Sequence, residues 1–244
     1  MNRGMIDSVR ACLKEQVRMD VISNNLANAG AIGFKKQRVA FQDLLERAAG
    51  GSRARNAAEP AGADLLRIEF DLGQGNLRRT ENDLDMAISG EGFFKIMAEE
   101  GVKYTRKGNF KLDSEGFLAT QSGDLVLGEG GPIFLGDSAV SVDDMGIVYA
   151  DGLQADRLDI VRLDQPAALH GQGDTLFTAP MEAETPVPFE TRIKQGYVEL
   201  ANVDIAEEMV SMIDSLRAFE SYQKSIKVTD ELNGRAINQV SRIR

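Results

Sequence analysis

The feature that most constrains this chain is where it keeps its helix-breaking residues. All six prolines fall between Pro60 and Pro188, and 16 of the 24 glycines lie between Gly73 and Gly173. Proline removes a backbone donor and clashes with the preceding turn, and glycine in a helix interior is costly. Long helices are therefore confined to the two ends, and the middle must be short elements joined by turns.

The ends carry the periodicity a helix needs. Between Arg3 and Leu26, the residues Met5, Val9, Cys12, Met19 and Leu26 fall on alternating three- and four-residue steps, with Gln16 and Ser23 in the remaining positions. From Asp204 to Ile243 the spacing recurs through Ile205, Met209, Met212, Leu216, Phe219, Ile226, Ile237 and Val240, interrupted by Gln223, Asp230 and Asn233. At 1.5 Å per residue this second helix would extend roughly 60 Å, far longer than the ~11 residues of an average globular helix. Two readings remain open: both are core helices of a globular α+β domain, or they pair antiparallel as a coiled coil and keep apolar faces for neighbouring copies. In either reading Leu216→Asp is expected to bury an unpaired charge in a seam, at about a few kcal/mol.

Between the ends, the segment Ala48–Ala63 has few large apolar groups and reads as a linker. Short β-like runs follow at Leu66–Phe70, Phe93–Ile96, Val102–Thr105, Asn109–Leu112, Phe117–Thr120 and Leu125–Leu127, then Ala139–Val142, Ile147–Ala150 and Leu158–Leu163. Asp113-Ser114-Glu115-Gly116 and Gln121-Ser122-Gly123-Asp124 supply hairpin turns with glycine where positive φ is needed. The fold class expected is α+β, with long N- and C-terminal helices around a central, mostly antiparallel β domain. The divisions are 1–35 (helix and turn), 36–65 (extended segment and linker), 66–196 (β domain) and 197–244 (C-terminal helix).

Chemistry is scarce. One cysteine, Cys12, and one histidine, His170, leave no intrachain disulfide and no Cys/His zinc cluster. No Gly-x-Ser-x-Gly elbow accompanies His170, and none of the Gly-x-Gly pairs continues into a nucleotide-binding loop. Asp143, Asp144, Asp151, Asp156 and Asp159 lack the spacing of a calcium loop and read as a solvated acidic face. Cys12 on the apolar stripe reads as a small hydrophobe. No catalytic, cofactor-binding or metal site is expected. The net charge of −10 argues against nucleic acid. No stretch approaches the roughly 18 uninterrupted apolar residues of a membrane span, and the start has no apolar h-region of a cleaved signal peptide.

The strongest local signal is Asn24-Asn25-Leu26-Ala27-Asn28-Ala29-Gly30-Ala31-Ile32-Gly33-Phe34-Lys35. Asparagine and glycine tolerate the left-handed conformation that ends helices, so this run should turn the chain, with Phe34 as an anchor beyond it. The run resembles the bacterial flagellar rod and hook family, whose members carry Asn-Asn-Leu-Ala-Asn followed by Gly-Phe-Lys. Further segments resemble the same family in order: Phe70–Leu77, Arg79–Asp85, Ile88–Phe94, Tyr104–Phe110, Gln195–Asp204 and Glu207–Ile213. Leu77–Asn82 and Arg217–Lys224 look most like its proximal rod members, while Met19–Ser23 and Phe41–Leu45 are as reminiscent of its distal ones; the proximal reading is favoured. Ala31 stands where the family usually has threonine, so the turn is expected to be held by backbone bonds or neighbouring subunits.

The resemblance implies a structural, non-enzymatic subunit of the basal-body rod, crossing the periplasm and delivered by the flagellar export apparatus without a cleaved signal. It implies that the terminal helices pair in an inner layer, and that the partners are other copies, neighbouring rod proteins and the export apparatus. Met5, Val9, Cys12, Met19, Leu26, Ile205, Met209, Met212, Leu216, Phe219 and Ile226 would serve helix packing and the subunit interface. Asn24, Asn25, Leu26, Asn28, Gly33 and Phe34 would form the turn. Helices without a full partner are marginal, so both termini are expected to be partly disordered before assembly. Alternatives of other classes are a secreted oligomeric adhesin and a carbohydrate-active enzyme using paired carboxylates.

Overall fold

The computed structural model describes residues 3–42, 65–163, 169–171, 173, 175–180 and 183–240. The linker expected over Ala48–Ala63 lies outside them. The described chain is α+β and divides into two compact units: 1–27, 37–68 and 204–244 in one, 28–36 and 69–203 in the other.

The first unit contains α1 (Arg3–Ala27), β1 (Gln37–Gln42) paired with β2 (Leu65–Phe70), and α2 (Ile205–Val240). α1 packs along α2. The end of α1 meets the start of α2 through Asn25 and Glu208, so the two run antiparallel. α2 starts where Asp204 Oδ1 accepts from the Ala206 and Glu207 amides at 2.9 and 3.2 Å. That cap, with Glu207 and Glu208 in the first turn, satisfies and neutralises the positive helix end.

The covered side of α1 runs through Met5, Ser8, Cys12, Glu15, Met19, Ile22, Asn25 and Leu26, and that of α2 through Glu208, Met212, Ser215, Phe219, Tyr222, Ile226 and Thr229. Both keep the expected three–four spacing, but alternate positions sit one residue earlier than the sequence reading placed them. Val9, Met209 and Leu216 are accordingly exposed, Leu216 by 48 %, and Ile205 in the first turn of α2 is exposed as well. A heptad offers two adjacent candidates at every second step. The chain covers Ser8, Glu208 and Ser215 where the reading placed Val9, Met209 and Leu216, and Ile22 and Tyr222 where it placed Ser23 and Gln223. Ile237 and Val240 lie on the helix, but their side chains are outside the description.

The second unit is built on β5 (Phe93–Ala98), which follows β3 (Leu77–Arg79) and β4 (Met86–Ser89). β5 pairs antiparallel with β6 (Gly101–Thr105) on one side, and with Leu125–Gly128 and Ile160–Leu163 on the other. Strand alternation sends Phe94 and Ile96 into one core with Phe110, Leu118, Val126 and Val148, and Phe93 into a second with Tyr104, Leu163 and Phe177. Edge-to-face rings close each core: Phe94 on Phe110 at 5.2 Å and Phe93 on Phe177 at 5.6 Å.

Tyr104 donates to Glu184, which also takes Lys95 at 3.2 Å, and Asp159 takes Lys95 at 3.0 Å. Burial, then the Glu184 carboxylate, pushes ionisation of the Tyr104 phenol well above its ordinary range. Two strands that sequence patterning did not single out, Arg192–Gln195 and Tyr197–Glu199, pair antiparallel with β4 and β3.

Candidate functional site: a carboxylate held between two buried cations

The run after α1 does turn the chain. The Ala31 amide donates to Asn28 O at 3.0 Å, Ile32 bridges Leu200, and the Gly33 amide donates to Glu199 O at 2.8 Å. Backbone bonds thus hold the turn where Ala31 supplies no hydroxyl. Gly33 sits at φ 71°, and a Cβ there would lie 2.4 Å from Lys107 N. Both the left-handed backbone and the close approach demand glycine. Gly33→Ala is therefore expected to destabilise this unit by about 2–4 kcal/mol, combining a strained φ with a backbone clash. A chemical denaturation midpoint within error of wild type would contradict that.

Phe34 is buried, and beyond it Lys35 points into the protein with no exposed side-chain surface. Its Nζ donates to Glu199 Oε1 at 2.7 Å and to Gly73 O at 2.8 Å. The other carboxylate oxygen, Glu199 Oε2, takes Arg106 Nη1 at 3.0 Å, and Oε1 also accepts the Gly75 amide at 2.8 Å. Arg106 donates further to Ile88 O and Gly90 O and lies over the Phe93 ring at 5.3 Å. A Cβ on Gly75 would fall 1.9 Å from Leu200 O, so the loop approaches closely enough only as glycine. Asn202 completes the set, accepting from the Lys36 amide at 2.7 Å and donating to Asp71 O and Gly73 O.

Burial pushes the Lys35 ammonium below its ordinary range; Glu199 opposes this and Arg106 reinforces it. Ion pairs this dry are tolerated only when their remaining donors and acceptors are bonded. Glu199 meets that condition, with four donors among its two carboxylate oxygens and its carbonyl, whereas the buried Arg106 Nε has no partner. The arrangement ties five segments far apart in sequence to one carboxylate: 33–35, 73–75, 88–90, Arg106 and 199–202.

Lys35, Arg106 and Glu199 were not among the residues singled out from sequence, although each lies inside a segment quoted there. Nothing in composition or spacing separates them from surface charges. Of the turn residues, Asn25 is buried, Gly33 and Phe34 are buried, Leu26 and Asn28 are half-buried, and Asn24 is exposed with Nδ2 at 3.4 Å from Gln37 Oε1. Met5, Cys12, Met19, Met212, Phe219 and Ile226 are brought together as half-buried residues of the helix pair, whereas Val9, Ile205, Met209 and Leu216 face outward.

The acidic run is spent on turns and one ion pair. Asp143 Oδ1 accepts from Met145 and Ile147, Asp151 from Ala139, Asp156 from Gly130, and Asp159 binds Lys95. Among the described residues no group of three or more His, Cys, Asp or Glu is placed to hold a metal ion. His170 lies in the strand His170–Gly171, paired with Leu176–Thr178. No described helix is long and apolar enough to cross a membrane.

Residues 8–35 match the family described as flagella basal body rod protein. Residues 87–150 match the flagellar hook protein FlgE/F/G D1 domain, and 194–239 the flagellar basal body rod FlgEFG protein C-terminal region. The chain is 34 % identical over 241 residues to the flagellar basal-body rod protein FlgG of Buchnera aphidicola subsp. Schizaphis graminum, covering 89 % of this chain and 92 % of that one. It is 33 % identical to the flagellar basal-body rod protein FlgF of Caulobacter vibrioides, over 92 % of each chain. Against the FlgG of Bacillus subtilis it is 32 % identical, over 98 % of this chain and 99 % of that one. The chain therefore belongs to the flagellar basal-body rod protein family, whose members are structural components of the bacterial flagellum and not enzymes.

Proposed function

We propose that this chain is a rod subunit that polymerises helically with copies of itself and with neighbouring rod proteins, building the shaft that transmits torque from motor to hook. The observation that carries the proposal is the outward stripe on α2. Ile205, Met209, Val210, Ile213 and Leu216 are all at least 48 % exposed, and Ile6, Val9 and Leu13 are exposed on α1. Isolated apolar residues on a surface mean little, but a contiguous row at helical spacing marks a contact surface. Contacts between unlike surfaces that do not close generate a helical array, the geometry a shaft needs.

In this reading α1 and α2 form a coiled coil in an inner layer, and the divisions 1–35, 36–65, 66–196 and 197–244 act as inner, connecting, outer and inner parts. Buried Glu15 Oε2 and Ser215 Oγ have no hydrogen-bond partner, which fits a helix pair that is marginal by itself. Delivery through the flagellar export apparatus and a position across the periplasm follow from the same role. Leu77–Asn82 and Arg217–Lys224 favour the proximal rod within it. The relatives include both FlgF and FlgG proteins, and an adhesin draws no support from them.

Two measurements test this. Limited proteolysis of the purified monomer should cut within α1 and after about Asn202 while residues 28–36 and the middle survive, because marginal helices open often. A chain that resists throughout as a compact monomer counts against an assembly-dependent helix pair. Expression in strains lacking either the proximal or the distal rod protein should restore swimming only in the former; rescue of the latter alone reverses the placement.

A further inference from the structure

We propose that Asn25 and Glu208 form a latch that sets the rotation and register of α1 against α2, and so decides which stripe of each helix faces outward. The inference concerns the helix pair itself and holds whether or not the outward stripe binds another copy.

Asn25 is 1 % exposed and Glu208 3 %. The Asn25 carboxamide bonds to the Gln37 backbone as a neighbouring strand would: Oδ1 accepts the Gln37 amide at 2.8 Å, and Nδ2 donates to Gln37 O at 2.9 Å. The remaining Nδ2 hydrogen goes to Glu208 Oε2 at 3.0 Å. Reversing the amide would set its NH2 against the Gln37 amide and its oxygen against the carboxylate. The network therefore fixes the orientation of the group. Aspartate lacks the donors, and serine lacks a second one.

Because Gln37 clamps the carboxamide, Glu208 reaches it only if α2 turns that residue toward α1. Rotating α2 by about half of the 100° per residue would keep Met212, Phe219 and Ile226 in the seam while carrying Met209 inward and Glu208 out. The same rotation would exchange Ser215 for Leu216 and, further along, Tyr222 for Gln223. Over the first turns of α2 that alternative is the more apolar one, since it buries Met209 and Leu216. A buried polar pair that overrides apolar preference to fix register is a known device of paired helices. Here it explains why Glu208 and Ser215 are covered in place of Met209 and Leu216.

Cys12, the chain's one cysteine, supplies the test. Antiparallel counting from the Asn25–Glu208 level brings Cys12 beside Tyr222, which is half-buried, while Gln223 is exposed. A disulfide needs Cα atoms within about 7 Å, so its yield reports which residue faces Cys12. In the full chain, Tyr222→Cys should cross-link to Cys12 under diamide several-fold faster than Gln223→Cys. Adding Asn25→Ala should bring the two yields together while the melting transition of the β domain is unchanged. Asn25→Asp should do the same, because its second oxygen would face Gln37 O and Glu208 with no hydrogen to give. A preference for 222 that survives Asn25→Ala, or equal yields in the native background, would each overturn the latch.

Discussion

Replacing Glu199 by glutamine lowers the stability of the protein by about 3–5 kcal/mol, the cost of stranding a buried charge when one partner of a dry ion pair is removed. Lys35 and Arg106 are almost wholly inaccessible to water, and both direct their charge at this carboxylate. Glutamine keeps the shape but offers one acceptor and turns an NH2 toward a cation. At roughly 2–4 °C per kcal/mol for a chain of this size, calorimetry should register a drop on the order of 10 °C. The proper contrast is Arg162→Gln. Its pair with Glu91 is 3.2 Å long but has side-chain exposures of 39 % and 66 %. Pairs so hydrated are worth about 0–1 kcal/mol. Combining Glu199→Gln with Lys35→Met removes one stranded cation and should recover part of the loss, so the two effects are less than additive. If Glu199→Gln melts no lower than Arg162→Gln, the ion cluster is not what ties the five segments together.

The sequence made the turns and about half of the described strands readable and left the ion cluster invisible. Gly116 and Gly123 take positive φ in the turns that Asp113–Gly116 and Gln121–Asp124 announced, because only the local backbone decides those positions. β5 and β6 were readable for the same reason, their apolar runs being bounded by glycine. Arg192–Gln195 and Tyr197–Glu199 were not. Both are short, Arg192–Gln195 is mostly polar, and each partner strand lies more than a hundred residues away in the sequence. Lys35, Arg106 and Glu199 failed for a related reason. A charged residue reads as solvated unless its partner is known, and Glu199 lies 93 and 164 residues from its two cations in the sequence. The helix seam was readable at Met5, Cys12, Met19, Leu26, Met212, Phe219 and Ile226, where the heptad leaves no choice. It was misplaced at alternate steps: Ser8, Glu208 and Ser215 lie beside more apolar neighbours, while Ile22 and Tyr222 were passed over for Ser23 and Gln223.

That misplacement changes what Leu216→Asp should do. Buried in a seam, the aspartate would unfold the helix pair; at 48 % exposure it should alter monomer stability by no more than about 0.5 kcal/mol, as surface substitutions usually do. The loss moves to assembly. In a subunit contact the carboxylate would be stripped of water opposite an apolar surface, a penalty of about 2 kcal/mol or more at every copy. An array repeats that penalty at each addition, so growth should stop rather than slow. Phe219→Asp, three residues along on the covered side, should behave oppositely and weaken the helix pair in the monomer itself. Circular dichroism melts of the two purified variants, with swimming assays of the strains that express them, separate the cases. Leu216→Asp should melt with wild type and leave cells non-motile, while Phe219→Asp should lose helical signal at lower temperature. Motile cells carrying Leu216→Asp would remove the outward stripe from the subunit interface, and with it the physical basis for polymerisation through α2.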